Sequence, residues 1–219
     1  MKKIILTVLV GLLFTALASA QTDYAPTFTA GIKGGADLSS FPANSGFTNS
    51  SKIGYLGGFW GNLSLGVIDF QPEIYAIAKK VTVTYINAGN FYSEYSRYVT
   101  ADIPLLFGGK FGDSKVAVRV YGGPVLSFAL SKVQQFTNDN YDALRLNYKD
   151  LNYALQLGAG VNYHKFSLDV RYEAGLSKTG YGADINPVTG IQTSSTHLNI
   201  ISLSIGYTLF SSYGDYTYQ

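Results

Sequence analysis

Between Phe28 and Phe210 the chain passes through eight segments in which apolar and polar residues alternate, joined by connectors that are long and short in turn. The long connectors cover residues 38–52, 84–97, 132–150 and 178–196; the short ones cover 66–68, 112–114 and 163–165. A period of two excludes amphipathic helices and specifies strands with two different faces. Tight turns at one end and long loops at the other are how an up-and-down barrel crosses a bacterial outer membrane. The pattern predicts an all-β fold: an eight-stranded antiparallel transmembrane barrel with short periplasmic turns and long extracellular loops.

Residues 166–176 show the alternation most plainly. Phe166, Leu168, Val170, Tyr172, Ala174 and Leu176 share one face, and Ser167, Asp169, Arg171, Glu173 and Gly175 share the other. The same division sets Ile201, Leu203, Ile205 and Tyr207 against Ser202, Ser204 and Gly206. It also sets Val99, Ala101, Ile103 and Leu105 against Tyr98, Thr100, Asp102 and Pro104. The first two segments, Phe28–Gly35 and Tyr55–Leu65, are rich in glycine and carry the pattern least clearly. Alternation alone has two solutions. A soluble, lipocalin-like barrel turns the apolar set inward, and a membrane barrel turns it outward. The apolar parity here carries essentially no charge, and the polar parity is rich in Gly, Ala and Ser, which suit a narrow interior. Phe28, Phe70, Phe111, Tyr163, Phe166 and Tyr207 all fall on the apolar parity beside the termini or the short turns, as an interfacial aromatic girdle does. These features favour the membrane solution.

Met1-Lys2-Lys3, the apolar run from Ile4 to Ala18 and the small-residue step Ala18-Ser19-Ala20 read as a secretory signal peptide over residues 1–20. A transmembrane helix is the competing reading, but the run is short for one. The barrel domain is then expected over residues 21–210, with a short C-terminal tail over 211–219. With no Cys in the chain, lipoprotein anchoring, disulfides and thiol chemistry are all excluded. Without Lys2 and Lys3, fourteen basic residues stand against fourteen acidic ones, so no charge excess draws the chain to nucleic acid. Abundant Gly and Tyr with scarce helix formers point the same way as the alternation.

Eight strands enclose a space just wide enough for side chains to fill. The polar parity places Lys33, Lys79, Arg119 and Arg171 there with Glu73, Asp102, Asp169 and Glu173. Four charges of each sign in a narrow lumen should pair, because an unpaired buried charge is costly. A salt-bridged, plugged interior is expected rather than an open pore. The outer loops are the natural place for recognition. Tyr85, Phe91, Tyr92, Tyr95 and Tyr98 crowd the second, Phe136, Tyr141 and Tyr148 the third, and Tyr181 the fourth. Tyr among Asn, Ser and Gly is an adaptable recognition composition, although it equally suits exposed β-loops and the outer interface belt.

Chemistry finds few candidates. His164 lies in a short turn, and His197 lies at the outer start of the last strand near Ser194, Ser195 and Thr196. That grouping imitates the nucleophile and base of a barrel hydrolase; a polar rim residue beside a Ser/Thr loop is the plainer reading. Two distant histidines supply no metal site, and Asp184-Ile185-Asn186 is too sparse for a calcium loop. Asp169, Arg171 and Glu173 read as a lumen salt-bridge ladder before they read as an acid–base pair. The spacing of Gly31 and Gly34 lies in a strand with no following helix, so it is not a phosphate loop. No cofactor is expected.

Four stretches together resemble the PorT-like outer-membrane β-barrel proteins of Bacteroidota: Tyr98 to Phe107 (YVTADIPLLF), Val118 to Ser131 (VRVYGGPVLSFALS), Leu168 to Leu176 (LDVRYEAGL) and Ile201 to Phe210 (ISLSIGYTLF). The resemblance covers most of the chain after the signal. It implies an eight-stranded outer-membrane barrel, with some relatives linked to gliding and protein-secretion machinery, and it supplies no catalytic residue. One departure is the stretch after Phe210, where barrels of this kind commonly end on the aromatic residue. The expected role is therefore a non-enzymatic structural or interaction protein of the outer membrane. Its partners would be outer-membrane lipid and envelope or secretion-machinery proteins. A narrow channel for ions or small solutes is the alternative, and a lipid- or peptide-cleaving enzyme using His197 is the third reading.

Overall fold

The computed structural model describes residues 26–40, 48–66, 68–87, 90–112, 115–136, 145–147, 149–177, 179–182 and 195–212. Among these described residues eleven strands are formed: β1 (Thr27–Ser40), β2 (Thr48–Leu65), β3 (Ile68–Asn87), β4 (Asn90–Gly112), β5 (Val116–Phe136), β6 (Arg145–Asn147), β7 (Leu151–Tyr163), β8 (Phe166–Gly175), β9 (Thr179–Gly182), β10 (Ser195–Thr196) and β11 (Asn199–Ser211). Eight of them close an antiparallel barrel in the order β1-β11-β8-β7-β5-β4-β3-β2, and β10, β9 and β6 form a small separate sheet. Every neighbour pair in the barrel is antiparallel, including the closing pair of β1 and β11. Closure leaves no free edge around the membrane-spanning wall, which is what a sheet in lipid requires.

The direction of the side chains decides between the two barrel solutions. Leu203 is 52% exposed and its neighbour Ser204 is 1% exposed. The same inversion holds along β7 and β8, where Leu155, Leu157, Leu168 and Val170 point out while Gln156, Asp169 and Arg171 are buried. The apolar parity faces outward and the charged parity faces the lumen, as a lipid solvent demands. Among the described residues no helix is long and apolar enough to cross a membrane; the strands do the crossing.

Three hairpin turns and both chain ends of the barrel lie at one end. Gly66 and Gly112 take positive φ there, and a Cβ on Gly112 would press on the Val116 carbonyl. His164 also takes positive φ, at 54°, and its amide donates to the Lys115 carbonyl at 3.2 Å. His164 thus sits in the short turn expected from the sequence, in a conformation His tolerates better than most side chains. Around this end Phe28 meets Phe210, Phe70 meets Phe107, and Phe166 meets Tyr207, with ring centroids 6.1, 4.8 and 5.2 Å apart.

At the other end the strands are unequal. β2 to β5 are 18 to 23 residues long, whereas β7, β8 and β11 have 10 to 13. Pairing between β3 and β4 continues to Asn87 opposite Asn90, while β2 pairs with β3 to Thr48 opposite Thr84. β4 pairs with β5 to Glu94 opposite Phe136. A four-stranded wall thus rises on one side of the barrel, while on the other the barrel strands end lower and, among the described residues, are followed by the short sheet of β6, β9 and β10. The connector expected over residues 84–97 is accordingly not a loop but a hairpin extension, with strand pairing as far as Asn87 opposite Asn90. The reason is physical: outside the bilayer a strand still pairs, but nothing there enforces one apolar face, so alternation fades while the ladder continues. The segments expected at Phe28–Gly35 and Tyr55–Leu65 likewise run further, to Ser40 and back to Thr48. The last strand passes Phe210 to Ser211, and the Ser212 amide donates to the Phe28 carbonyl at 2.8 Å. The signal segment and residues 213–219 of the tail lie outside the described residues.

Candidate functional site

The lumen is filled by side chains that alternation sends inward from every strand of the barrel. At its centre is a closed ring of hydrogen bonds contributed by β3, β5 and β8. Arg171 grips Glu73 with both terminal nitrogens, at 2.6 and 2.8 Å. Its Nε donates to the Tyr121 hydroxyl at 2.9 Å, and that hydroxyl donates to Asp169 at 2.7 Å. Arg119 donates to Asp169 at 2.8 Å and to the Gln71 carbonyl oxygen at 2.6 Å. Gln71 closes the ring by donating to Glu73 at 2.6 Å. Lys33, from β1, donates to Glu73 as well. Bidentate Arg–carboxylate contacts of this kind fix orientation as well as supply energy.

A second cluster sits toward the wall end. Lys79 reaches Asp102 at 2.9 Å, Ser127 at 3.1 Å and Glu173 at 3.7 Å. Asp102 also accepts from Thr100 at 2.7 Å and from Ser127. Gln156 joins the two clusters: its amide donates to Glu173 at 3.1 Å and its carbonyl accepts from Arg171 at 3.4 Å. Leu56, Ile77, Tyr98, Leu198 and Ile200 are buried with these groups. The eight charged residues expected in the lumen are therefore all buried and brought together into one connected network.

Two lumen carboxylates escaped the sequence reading. Asp37 and Asp69 are both buried. Asp37 accepts from Ser39 at 3.1 Å, and one oxygen of each carboxylate has no hydrogen-bond partner. Both stand on the lumen parity, Asp37 four residues past Lys33 and Asp69 two before Gln71. They were missed because β1 and β3 were drawn too short. Extending the parity to the strand ends would have found them. Among the described residues the buried lumen charges are thus six carboxylates and four cations, with half-buried Lys110 at the turn end, and the count of four against four is corrected.

Space in the lumen is unevenly distributed. At the turn end a vestibule of about 120 Å³ opens between Trp60, Asn62, Asp69, Lys110, Arg119 and Asn162. Beside the network the voids are only about 20 and 10 Å³, room for a single water each. Gly158 contributes to this filling. A Cβ there would come within 2.5 Å of the Tyr121 ring, so the missing side chain is what lets Tyr121 lie across the lumen.

The residues expected to form outer recognition loops fall elsewhere. Tyr85 lies on β3, and Phe91, Tyr92 and Tyr95 lie on β4; Tyr85 is paired with Tyr92, and Tyr95 with Thr82. Phe136 is the last residue of β5, and Tyr181 belongs to β9, opposite Leu146. Tyr98 is buried in the lumen. Tyr141 and Tyr148 lie outside the described residues. His197 follows β10 with its Nδ1 unpartnered; Ser194 is outside the described residues. Among the described residues no group of three His, Cys, Asp or Glu side chains could hold a metal ion. On the water-exposed side Lys132 reaches Asp150 at 2.7 Å and holds that carboxyl below its usual range.

Residues 19–180 match the family model described as outer membrane protein beta-barrel domain. No curated protein matches the sequence. Among solved structures, the chain is similar to Ail, the attachment invasion locus protein of Yersinia pestis, in complex with the heparin analogue sucrose octasulfate. The identity is 10%, over 83% of this chain and 98% of that one, with a TM-score of 0.39. It is also similar to Neisserial surface protein A, at 13% identity over 84% and 99% of the two chains and a TM-score of 0.37. The outer membrane enzyme PagL is matched at 13% identity over 84% and 99%, with a TM-score of 0.36. Likenesses this remote say nothing about activity.

Proposed function

Because the chain belongs to the outer membrane protein beta-barrel domain family and is an outer-membrane protein, we propose that it works there without catalysis, as a rigid plugged barrel that presents its β2–β5 wall to another envelope component. One observation carries this reading: through β2 to β5 the barrel sheet itself runs unbroken past the rim, with strand pairing out to Asn87 and Asn90, whereas beyond β7, β8 and β11 the described residues form only the short separate sheet of β6, β9 and β10. A protein needing only to span the bilayer has no use for that extension. The tyrosine-rich composition of the wall suits contact with a protein. We also propose a kinship with the PorT-like proteins of Bacteroidota, on the sequence resemblance alone. The stretches that carry the resemblance form the membrane-spanning parts of β4, β5, β8 and β11, and the partner class this favours is a protein of the envelope or its secretion machinery. Export by a cleaved signal over residues 1–20 belongs to the same reading.

The test places a photo-crosslinking residue at Phe91 or Tyr95 on the wall, or at Ser40 on the low rim, in living cells. A defined envelope protein captured from the wall positions and not from Ser40 supports the reading; equal capture from both, or from neither, overturns it. A narrow channel is the second reading, favoured by the vestibule that leads in to Arg119. Single-channel currents that change in Arg119→Gln would support it, and a silent bilayer with the wild-type protein would end it.

A further inference from the structure

Lys80 on β3 and Arg97 on β4 stand directly opposite one another in the ladder. Both project outward: their neighbours Lys79, Ser96 and Tyr98 are buried on the lumen side, and the Lys80 ammonium lies over the outward-facing Tyr55 ring, 5.2 Å from its centre. Two like charges directly opposite on one face of a sheet repel and destabilise the pairing. Nothing on the described protein surface offsets this. The groups around the pair on that face include Ile53, Tyr55, Ala78, Thr82, Tyr95, Val99 and Val133, and none of these is a carboxylate. Neither cation has a salt bridge among the described residues.

Their height on the barrel says what does offset it. On the bilayer side the outward face is apolar without interruption, through Ala78, Ala76 and Ile74 on β3 and Val99, Ala101 and Ile103 on β4. On the other side the strands rise into the water-exposed wall. On β3 and β4 Lys80 and Arg97 are the first charges beyond the apolar band at the wall end, level with the exposed Lys132–Asp150 pair, the level at which lipid headgroups lie. Opposed strands hold such side chains about 5 Å apart at Cβ, a separation that two long cationic side chains can close around one phosphate.

We propose that Lys80 and Arg97 form a binding site for the phosphate monoester of an outer-leaflet glycolipid, whose charge of about −2 two cations match where a phospholipid's single charge does not, held from both sides, with Tyr55 steering the ammonium of Lys80. The inference is independent of the wall's protein partner. It makes the sheet's like-charge defect a lipid contact that pins the base of the wall at the membrane surface.

The experiment reconstitutes the full barrel in nanodiscs of zwitterionic phospholipid, alone or with a minor fraction of a diphosphorylated glycolipid or its dephosphorylated form. It measures lipid retention and the temperature at which the barrel loses its resistance to SDS. Wild type should retain the phosphorylated glycolipid and be stabilised by it, and should ignore the dephosphorylated form. In the variant carrying both Lys80→Gln and Arg97→Gln, retention should fall roughly 30-fold, since each basic group near an anionic surface adds about 1 kcal/mol. In purely zwitterionic discs the double variant should be at least as stable as wild type, because the repulsion is gone. Lys115→Gln, which removes a charge at the opposite end, should leave lipid retention unchanged. Equal retention by wild type and the double variant overturns the proposal, as does an equal loss in Lys115→Gln. A double variant less stable in zwitterionic discs would make the pair structural instead. Displacement of the glycolipid by millimolar inorganic phosphate would make the site one for free anions and end the commitment to lipid.

Discussion

Arg171 and Arg97 are arginines on strands of one sheet, and their surroundings are opposite. Arg171 is buried, grips Glu73 with two nitrogens and gives its third to Tyr121. Arg97 is exposed and looks across at another cation. Inside the barrel water is scarce, so a charge must be satisfied by protein groups, and the network exists because its members have no alternative. On the wall, water and lipid headgroups do that work, and the protein can leave cations opposed. The same residue type is thus a structural element in one place and a surface available for binding in the other. Substitutions should separate the two by size.

The largest effect is expected at the hub of the network. Glu73→Ala leaves Lys33 and Arg171 buried without their carboxylate. A loss of about 3–5 kcal/mol follows from breaking a buried pair from one side, visible as a fall in the urea midpoint of the refolded barrel. Removing the whole group, with Lys33→Met, Glu73→Leu and Arg171→Met together, should restore much of that loss, because the cost lies in the orphaned charges. A triple variant as unstable as the single one would mean that the ring holds the barrel by more than charge compensation.

Next in size is Gly158→Ala. The added methyl would meet the Tyr121 ring and push its hydroxyl away from Asp169 and Arg171. Overpacking of this kind costs on the order of 1–3 kcal/mol, and the same denaturation measurement checks it. The variant with Tyr121→Phe added tests the cause. If displacing the hydroxyl is what matters, alanine at 158 should cost less once that hydroxyl is absent.

How far the sequence could be read follows the same boundary between lipid and water. In the membrane, side chains must alternate, so residues 166–176 and 199–210 told inside from outside one residue at a time. Every charge placed inward from that pattern is inward in the structure. Asp37 and Asp69 were lost only because the segments containing them were ended early, at Gly35 and Phe70, where glycine and an aromatic blurred the pattern. Above the membrane the constraint disappears. Tyr85, Phe91, Tyr92 and Tyr95 sit among Thr, Ser and Asn that fit either a loop or a strand, and the only local signal for a hairpin was the turn-like Asn87-Ala88-Gly89-Asn90. Strand formers such as Val81, Val83, Tyr85 and Ile86 should have weighed more heavily there. The pairing of Lys80 with Arg97 was out of reach altogether, because register between strands is not written in either strand alone.

The wall itself can be broken without touching the lumen. Ser93 lies opposite Thr84 in the β3–β4 ladder. Ser93→Pro removes an amide donor and cannot follow the strand conformation freely. The expected result is local: new protease cleavage between residues 84 and 97, with the urea midpoint of the barrel left where it was. A midpoint that falls as far as in Gly158→Ala would show that wall and barrel unfold as one unit, and the contrast between the two regions would be one of chemistry but not of stability.

The smallest effect is expected where an ion pair lies in water. Lys132 on β5 bonds Asp150 just before β7, with the carboxylate side chain 94% exposed. Its geometry matches that of Arg119 with Asp169, at 2.7 against 2.8 Å, yet solvent screens the exposed pair and leaves little net gain. The lysine depresses the Asp150 carboxyl. What stability the pair adds is therefore present above the carboxyl's unfolded-state value and disappears as pH falls through the depressed folded-state one. Lys132→Met should leave the urea midpoint at neutral pH and moderate salt unchanged within the scatter of the measurement. A small difference from wild type should emerge only at low ionic strength and vanish again on acidification below the carboxylate range. A loss at neutral pH approaching that of Glu73→Ala would mean that the connection from β5 to β7 is held as tightly as the lumen, and burial would no longer be what separates the two kinds of ion pair.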